Sequence, residues 1–566
     1  KSHWTYDTDY VASNIVATWT PKLGENHNLN VVGGWNIEKT KYRNTYLQRK
    51  GILYPSLPSF ELMDSSEYSV SDSGYDKSMV GVFGRINYTL LNRYIFEFAA
   101  RYDGSSLFPT NQQWGFFPSG SIGWRISEEP WMKWSRNWLD NFKIRANVGS
   151  LGNASIDPYQ FLSLMRTSNS ASKSIEKSSI LINGEQVPYT SWPTMVPASL
   201  TWETVTTYDI GVDFDLLRNR LSGSFDYYWR YTNDMLINGP DYPQVLGETS
   251  PKGNFGALKT KGWEASLSWR DSFKVGGKPF NYNVKVSVWD SRTWVKDYYN
   301  SDGAIYSYYK GQELGDIWGF RTDGYFLTNE EANNWAVDAF HKNGNNFRAF
   351  AGDLKFLDLD GNGKIENGGE RPTLDNHGDL DIIGNTTPRY QYGINLGANW
   401  NGIGLSVFVQ GVGKRDWYPT ANKDDIYGAN QFWQLYGYTI PSFITYDFMD
   451  DVWSEQNLGG YFPRLRPIQS YNGGPLGQNN DRYLQSVAYL RFKNLTIGYT
   501  LPVLKKYLSK LRIYVSSENL CYWSPLKKHC KLIDPELAIS SGTYKGGTGT
   551  GYTMPRTFSF GVDITF

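Results

Sequence analysis

The stretch from Tyr208 to Tyr231, YDIGVDFDLLRNRLSGSFDYYWRY, decides the architecture. Tyr208, Ile210, Val212 and Phe214 alternate with Asp209, Gly211, Asp213 and Asp215, and Leu217 to Arg220 then reverse the chain. On the return, Leu221, Gly223, Phe225, Tyr227 and Trp229 alternate with Ser222, Ser224, Asp226, Tyr228 and Arg230. A period of two is that of a β-strand, whose successive side chains leave opposite faces. Two such runs joined by a short turn read as an antiparallel hairpin. One face is greasy and the other carries charge. In a soluble sandwich the greasy face would meet a second sheet; in a membrane barrel it meets lipid, and the charged face lines a wet lumen.

The same alternation recurs outward from this hairpin. In YIFEFAARYD, residues Tyr94, Phe96, Phe98, Ala100 and Tyr102 oppose Ile95, Glu97, Ala99, Arg101 and Asp103. Phe142, Ile144, Ala146 and Val148 likewise oppose Lys143, Arg145 and Asn147, and similar pairs lie around Met79–Tyr102, Trp263–Trp289 and Tyr390–Gln410. Roughly fifteen strands are expected in all. The chain closes on TFSFGVDITF, where Phe558, Phe560, Val562, Ile564 and the terminal Phe566 share one face. A last strand ending in an aromatic is the hallmark by which outer-membrane barrels are recognised for assembly.

Composition agrees with a barrel. The 566 residues carry 56 Lys plus Arg and 56 Asp plus Glu, so the net charge is zero and a nucleic-acid-binding surface is not expected. A mean hydropathy of -0.50 excludes a helical membrane protein, and no run approaches the roughly 20 apolar residues of a spanning helix. A barrel escapes such a test because its two faces average to a polar value. The 22 Trp and 41 Tyr suit aromatic girdles at the two membrane interfaces, although carbohydrate-binding proteins share that excess.

Long polar stretches at about 154–200, 297–387, 411–484 and 522–552 read as outer-surface loops opposite short turns. Within one of them Thr328 to His341 reads as a short helix capped by Thr328, with acidic residues in its first turn. The cysteines Cys521 and Cys530 bracket CYWSPLKKHC, either as an oxidised clip or as two free thiols. The opening KSHWTYDTDY has no initiator Met, basic segment or apolar segment, so a mature, cleaved or truncated start is expected.

Few residues suggest a site. The segment DLDGNGKIE at 358–366 resembles the start of an EF-hand loop. Asp358, Asp360 and Asn362 hold its first, third and fifth positions, Gly363 the sharp turn, Lys364 a carbonyl and Glu366 the ninth position. Gly369 replaces the twelfth-position Glu, with Glu370, Asp379 or Asp381 as substitutes. Either a bound Ca²⁺ (or Mg²⁺) or a solvated Asx-rich turn fits this pattern. The loop aromatics Trp417, Tyr418, Trp433 and Tyr436 offer rings for sugar faces, or for packing inside the loop or beneath a partner. The five His residues form no metal cluster, and neither a phosphate-binding Gly loop nor a GxSxG elbow occurs. No catalytic residue is assigned. Without a repeat of about 40–50 residues, a propeller enzyme or adhesin is disfavoured.

With these residues on the page, the chain resembles the barrel portion of a SusC/RagA-type TonB-dependent transporter. The matching segments include RYDGSSLF at 101–108, WGFFPSGSIGWRISEEPW at 114–131, LDNFKIRANVGSLGN at 139–153 and LTWETVTTYDIGVDFDLLRNRLSGSFDYYWRYTNDML at 200–236. Further matches are KGWEASLSW at 261–269, DIWGFRTDGYF at 316–326, YLRFKNLTIGYTLP at 489–502, LRIYVSSENL at 511–520 and MPRTFSFGVDITF at 554–566. The resemblance implies energised import of a large nutrient, a glycan or in some members an oligopeptide, across the outer membrane of a Gram-negative bacterium. It implies a lid lipoprotein of the SusD class, contact with TonB through a plug, surrounding lipid and lipopolysaccharide, and dimers of transporter–lipoprotein pairs. A passive porin is the alternative within the barrel class. The family's plug and first strands are not recognisable here, whereas such barrels have about 22 strands. The rest is therefore expected from an N-terminal plug-bearing chain, or the sequence is truncated. The whole of 1–566 reads as barrel wall with long loops.

Overall fold

The alternation becomes, in the computed structural model of this chain, a single antiparallel wall. The structure describes all residues except 65–67, 166–180, 183–184, 187–192, 198, 240–242, 244, 246–249, 339, 341–348, 420–448, 465–476, 503–507, 531–532 and 539–553. The wall strands are β1 (Ser2–Trp19), β2 (His27–Arg49), β3 (Tyr68–Leu90), β4 (Tyr94–Ser105) and β5 (Trp114–Arg125). They continue as β6 (Leu139–Asn153), β7 (Glu203–Leu216), β8 (Leu221–Asn238), β9 (Lys252–Val275) and β10 (Lys278–Asp297). The last five are β11 (Arg389–Trp400), β12 (Ile403–Lys414), β13 (Tyr489–Leu501), β14 (Lys510–Trp523) and β15 (Thr557–Thr565). All fifteen lie in one sheet in chain order. Consecutive pairing lets each strand between β1 and β15 satisfy its backbone on both edges, the condition for crossing a bilayer with strands, while β1 and β15 each pair on one edge among the described residues.

The deciding hairpin has the expected register: Leu216 faces Leu221 across the turn, and Ile210 faces Tyr227. Leu217, Arg218 and Asn219 take φ of 57°, 61° and 58°, the left-handed region that costs about 1 kcal/mol per non-glycine residue. Neighbours hold them there. The Leu217 N–H donates to the Trp138 carbonyl at 2.7 Å, and the Asn219 N–H to the Asp140 carboxylate at 2.8 Å.

The two faces separate as the alternation requires. Phe96, Phe98, Ile122, Ile210 and Phe225 stand on one face, each 46–58% exposed. An apolar surface of this extent on a water-soluble protein would drive association. Facing acyl chains, it is at rest. The other face carries Arg145, Asp209, Asp213 and Asp226.

Several local expectations change. The Thr328–His341 helix contracts to Asn329–Asn334, with the Thr328 hydroxyl accepting the Glu331 N–H as the cap expected. It stops because Trp335 is extended, its indole N–H donating to the Phe356 carbonyl at 2.9 Å. Val337–Asp338 then pair with Lys364–Ile365, and His341 lies outside the described residues. The stretches from 411 and 522 begin as wall, since β12 runs to Lys414 and β14 to Trp523. The loops also contain structure of their own. Asp316–Phe320 pairs with Leu380–Asn385, Thr322–Tyr325 with Leu354–Phe356, and Asp416–Trp417 with Gln485–Ser486.

The assignment of faces predicts an asymmetry. Ile210→Arg places a charge midway along the apolar face and should cost about 2–4 kcal/mol in urea-dependent folding into lipid vesicles. Ser222→Arg, on the opposite face across from Asp215, should change the same midpoint little. Equal effects would mean that the faces are reversed or that neither meets lipid.

Candidate functional site

Side chains of β6, β7 and β8 gather charge on the inner face. Arg145 reaches Asp213 through Nε at 3.1 Å, Asp209 at 3.4 Å and Asp226 at 2.8 Å. Lys143 adds a 2.9 Å contact to Asp213, and the Asn147 amide donates to Asp209 at 2.8 Å. The strand period makes this cluster: Lys143, Arg145 and Asn147 share a face, and register brings Asp213, Gly211 and Asp209 beside them. The sequence showed these residues only as a polar wall; their matching periods were the available signal. The result is a braced polar surface.

Above the wall, three of the four long stretches share one core. Phe320, Phe356, Trp417, Trp453, Tyr483 and Leu526 come from stretches far apart in the chain and pack in a single cluster. Around it, the Tyr325 hydroxyl contacts the Tyr483 hydroxyl at 2.6 Å, accepts from Arg482 Nε at 2.8 Å and donates to the Tyr461 carbonyl. The Arg482 guanidinium also lies 4.2 Å from the Tyr325 ring centre. Burial pushes the Tyr461 phenol up to about 12 and that of Tyr483 well above its ordinary value. Both stay neutral and serve as hydrogen-bonding struts.

For two of the loop aromatics this core matches the alternative of packing inside the loop. Trp417 is fully buried and Tyr418 nearly so, with the Tyr418 hydroxyl donating to the Gln478 carbonyl at 3.0 Å. They pack the loop and present no ring to a substrate. Trp433 and Tyr436 lie outside the described residues. Rings that do stand open are Tyr299, Tyr306 and Tyr308, on the segment following β10.

The EF-hand-like segment folds as a tight loop. Asp358 accepts the N–H groups of Gly361 and Gly363 at 2.7 and 2.8 Å, while both glycines take left-handed φ of 73° and 80°. Glycine is needed there because a Cβ is disfavoured at such φ. Asp358, Asp360 and Asp379 bring one carboxylate oxygen each within 4.8 Å of one another. Of the three carboxylates offered for the twelfth position, Asp379 is the one the fold brings beside Asp358 and Asp360; it is wholly buried and accepts the N–H groups of Leu359 and Glu366. Asp381 is instead paired with Arg321 at 2.9 Å. Asn362 turns its amide N–H to Asp360 and its oxygen to the Lys364 N–H, and the carboxylate of Glu366 is exposed outside the group. Buried Ile365, next to Lys364, pins the loop to the core.

The two cysteines stand unbonded in this structure. Cys521 belongs to β14, facing Phe492, and Cys530 lies in the loop core, where burial pushes its thiol up to about 12. Beside Cys530, the His529 ring stacks on Tyr461 with centres 3.4 Å apart, and burial, then the Lys528 charge, hold its pKa below the ordinary value.

Comparison with known proteins accounts for the whole chain. Residues 1–449 match the family model "TonB dependent receptor-like, beta-barrel". TonB-dependent receptor P3 of Formosa agariphila is 28% identical over 587 residues, covering 99% of this chain and 52% of that protein. TonB-dependent receptor SusC of Bacteroides thetaiotaomicron is 25% identical, covering 100% of this chain and 50% of that protein. This chain thus spans about half the length of the curated relatives it matches. Among solved structures, the RagAB peptide transporter superposes with a TM-score of 0.74 at 19% identity, over 100% of this chain and 56% of that one. The wall and the loop core therefore share a fold with that transporter.

The depressed His529 pKa sets a pH dependence for the loop core. The unfolded loop takes up a proton near pH 6.5 while the stacked ring does not, so the stabilisation present above that pH is lost as pH falls through the folded value. Protection factors, that is exchange corrected for its intrinsic pH dependence, should fall between pH 7 and pH 5 in peptides containing Tyr461 and His529. In His529→Phe, which keeps a ring and takes no proton, that loss of protection should vanish.

Proposed function

The chain belongs to the TonB dependent receptor-like β-barrel family, whose place is the outer membrane, and from that premise we propose that it serves the energised import of a large nutrient. The observation that carries the reading is the wall itself: an apolar outer face, a charge-braced inner face, and three long loop stretches sharing one core at the end opposite the short turns. In such an assembly the chain forms the passage and performs no covalent chemistry. A plug-bearing portion couples it to TonB, and a SusD-class surface lipoprotein covers the loops. The cargo we favour is an oligosaccharide, since exposed Tyr299, Tyr306 and Tyr308 offer flat faces on which sugar C–H patches stack. An oligopeptide is the second reading, supported by the fold shared with the RagAB peptide transporter.

The test is uptake by cells expressing the whole transporter with its lipoprotein. Labelled oligosaccharides should accumulate only with TonB and a proton-motive force. Accumulation of peptides instead would favour the second reading. Entry that persists without TonB would make the barrel a passive porin.

We also infer that Asp358, Asp360 and Asp379 hold Ca²⁺. Three carboxylates converging on a loop pinned by Ile365 form a hard-oxygen set, and one of them is already out of water. Each oxygen can accept an N–H and still offer a lone pair to a cation. At calcium near 100 times Kd, the loop should gain about 2.7 kcal/mol. Hydrogen exchange in the peptide spanning 354–366 should slow accordingly in the native protein and stay unchanged in Asp379→Asn. No response in the native protein would leave the segment an Asx-rich turn.

A further inference from the structure

Apolar residues of the outer wall give way to cations at one level. On β8, Leu221, Phe225, Tyr227, Trp229 and Tyr231 share the outer face, and register sets Lys261 beside Trp229 and Lys259 beside Tyr231. On the next strand Arg292 faces Lys261 and Trp294 faces Lys259, with Lys296 two residues beyond. Ten residues separate Leu221 from Tyr231. At about 3.3 Å per residue and a tilt near 40°, that is about 25 Å, the height of the apolar band of an outer-membrane barrel. The long-loop end is the outer end. Lys259, Lys261 and Lys296 therefore stand at the level of the outer-leaflet headgroups.

Their pairing is incomplete. Arg292 is held by Glu313 through a two-pronged contact. Lys296 donates to the Asn233 amide oxygen at 3.3 Å, and Lys259 and Lys296 each lie 5.8 Å from the centre of the Tyr231 ring. No described carboxylate lies within ion-pairing distance of any of the three lysines. Two ammonium groups thus flank one ring with no counter-charge between them. Directly beside them runs a groove of about 1140 Å³ on the same outer face, lined by Phe96, Phe98, Ile122, Val148, Ile210 and Tyr231. Tyr231 belongs to both features.

We propose that this juxtaposition binds a phosphorylated glycolipid of the outer leaflet, with its phosphate on Lys259, Lys261 and Lys296 and an acyl chain in the groove. The proposal rests on the reading of the apolar face as lipid-facing. An anionic headgroup supplies the charge that the lysines lack, and the groove supplies length and apolar contact for the chain. A basic group near a membrane surface contributes about 1 kcal/mol per residue, which is about fivefold in affinity for each lysine.

The whole transporter would be placed in phosphatidylcholine nanodiscs doped with bisphosphorylated lipid A or with its dephosphorylated form, and retained lipid would be counted by native mass spectrometry. Wild type should retain the phosphorylated form about 100-fold more tightly than the combined Lys259→Gln, Lys261→Gln, Lys296→Gln variant, and its preference should vanish with the dephosphorylated lipid. Equal retention of the two lipids, or equal retention by the variant, would overturn the site. Heat-dependent gel mobility reports whether the variant folds; if it does not, Lys296→Gln alone, at an exposed rim position, should lose about fivefold, and no loss would overturn the site equally. A wild-type protein that stays dispersed in water without detergent would instead overturn the membrane reading on which the site depends.

Discussion

Backbone hydrogen bonding in a medium without water is the constraint on which the rest of this structure depends. A strand in a bilayer leaves no N–H or C=O to solvent, so it pairs laterally along its whole span. That requirement yields a wall of long strands in simple chain order, such as the 23-residue β2 and β3, which pair from His27 opposite Leu90 to Arg49 opposite Tyr68. Pairing in this manner places alternate side chains on opposite faces, and the two media then sort them. Phenylalanine, isoleucine and tyrosine go to the lipid side, and arginine, aspartate and asparagine to the water side.

The inner charges bear on rigidity. Arg145 ties β6 to β7 and β8 through three aspartates, so neighbouring strands are joined by side chains as well as by backbone. Each of these groups is partly exposed, and water screens the attraction. The outer end is organised differently. There the loops turn inward on their own aromatic residues, and buried phenols with shifted acidity act as neutral struts around Arg482. A surface assembly of this kind offers a firm platform to a covering partner.

What could be read from particular residues follows from range. The hairpin at Leu217 to Arg220 was legible because strand period and turn are local, and so was the Thr328 cap, which is settled by a hydroxyl three residues from its donor. The carboxylates Asp358 and Asp360 were legible for the same reason. Asp379 could only be offered beside Glu370 and Asp381, because it joins them across the turn through Gly378 and the pairing of Glu366 with Asp379. Trp417 illustrates the opposite case. Its local stretch left sugar stacking and packing inside the loop both open, and it lies fully buried in a cluster drawn from stretches far apart in the chain. Cys521 and Cys530 are near in sequence but separated by the end of a wall strand.

By itself, the sequence determined the strand type, the approximate number of wall strands and the two-faced character of the wall, because period-two alternation and turn chemistry act over a few residues; the family was legible separately, as a resemblance carried by segments such as 200–236 and 554–566. Tertiary structure alone decided which acids meet Arg145, which carboxylate lies beside Asp358 and Asp360, that Trp417 and Tyr418 face inward, and that Lys259, Lys261 and Lys296 converge at one level of the outer face. Those outcomes depend on register between strands and on packing between loops far apart in the chain, and neither quantity is written in any local stretch of residues.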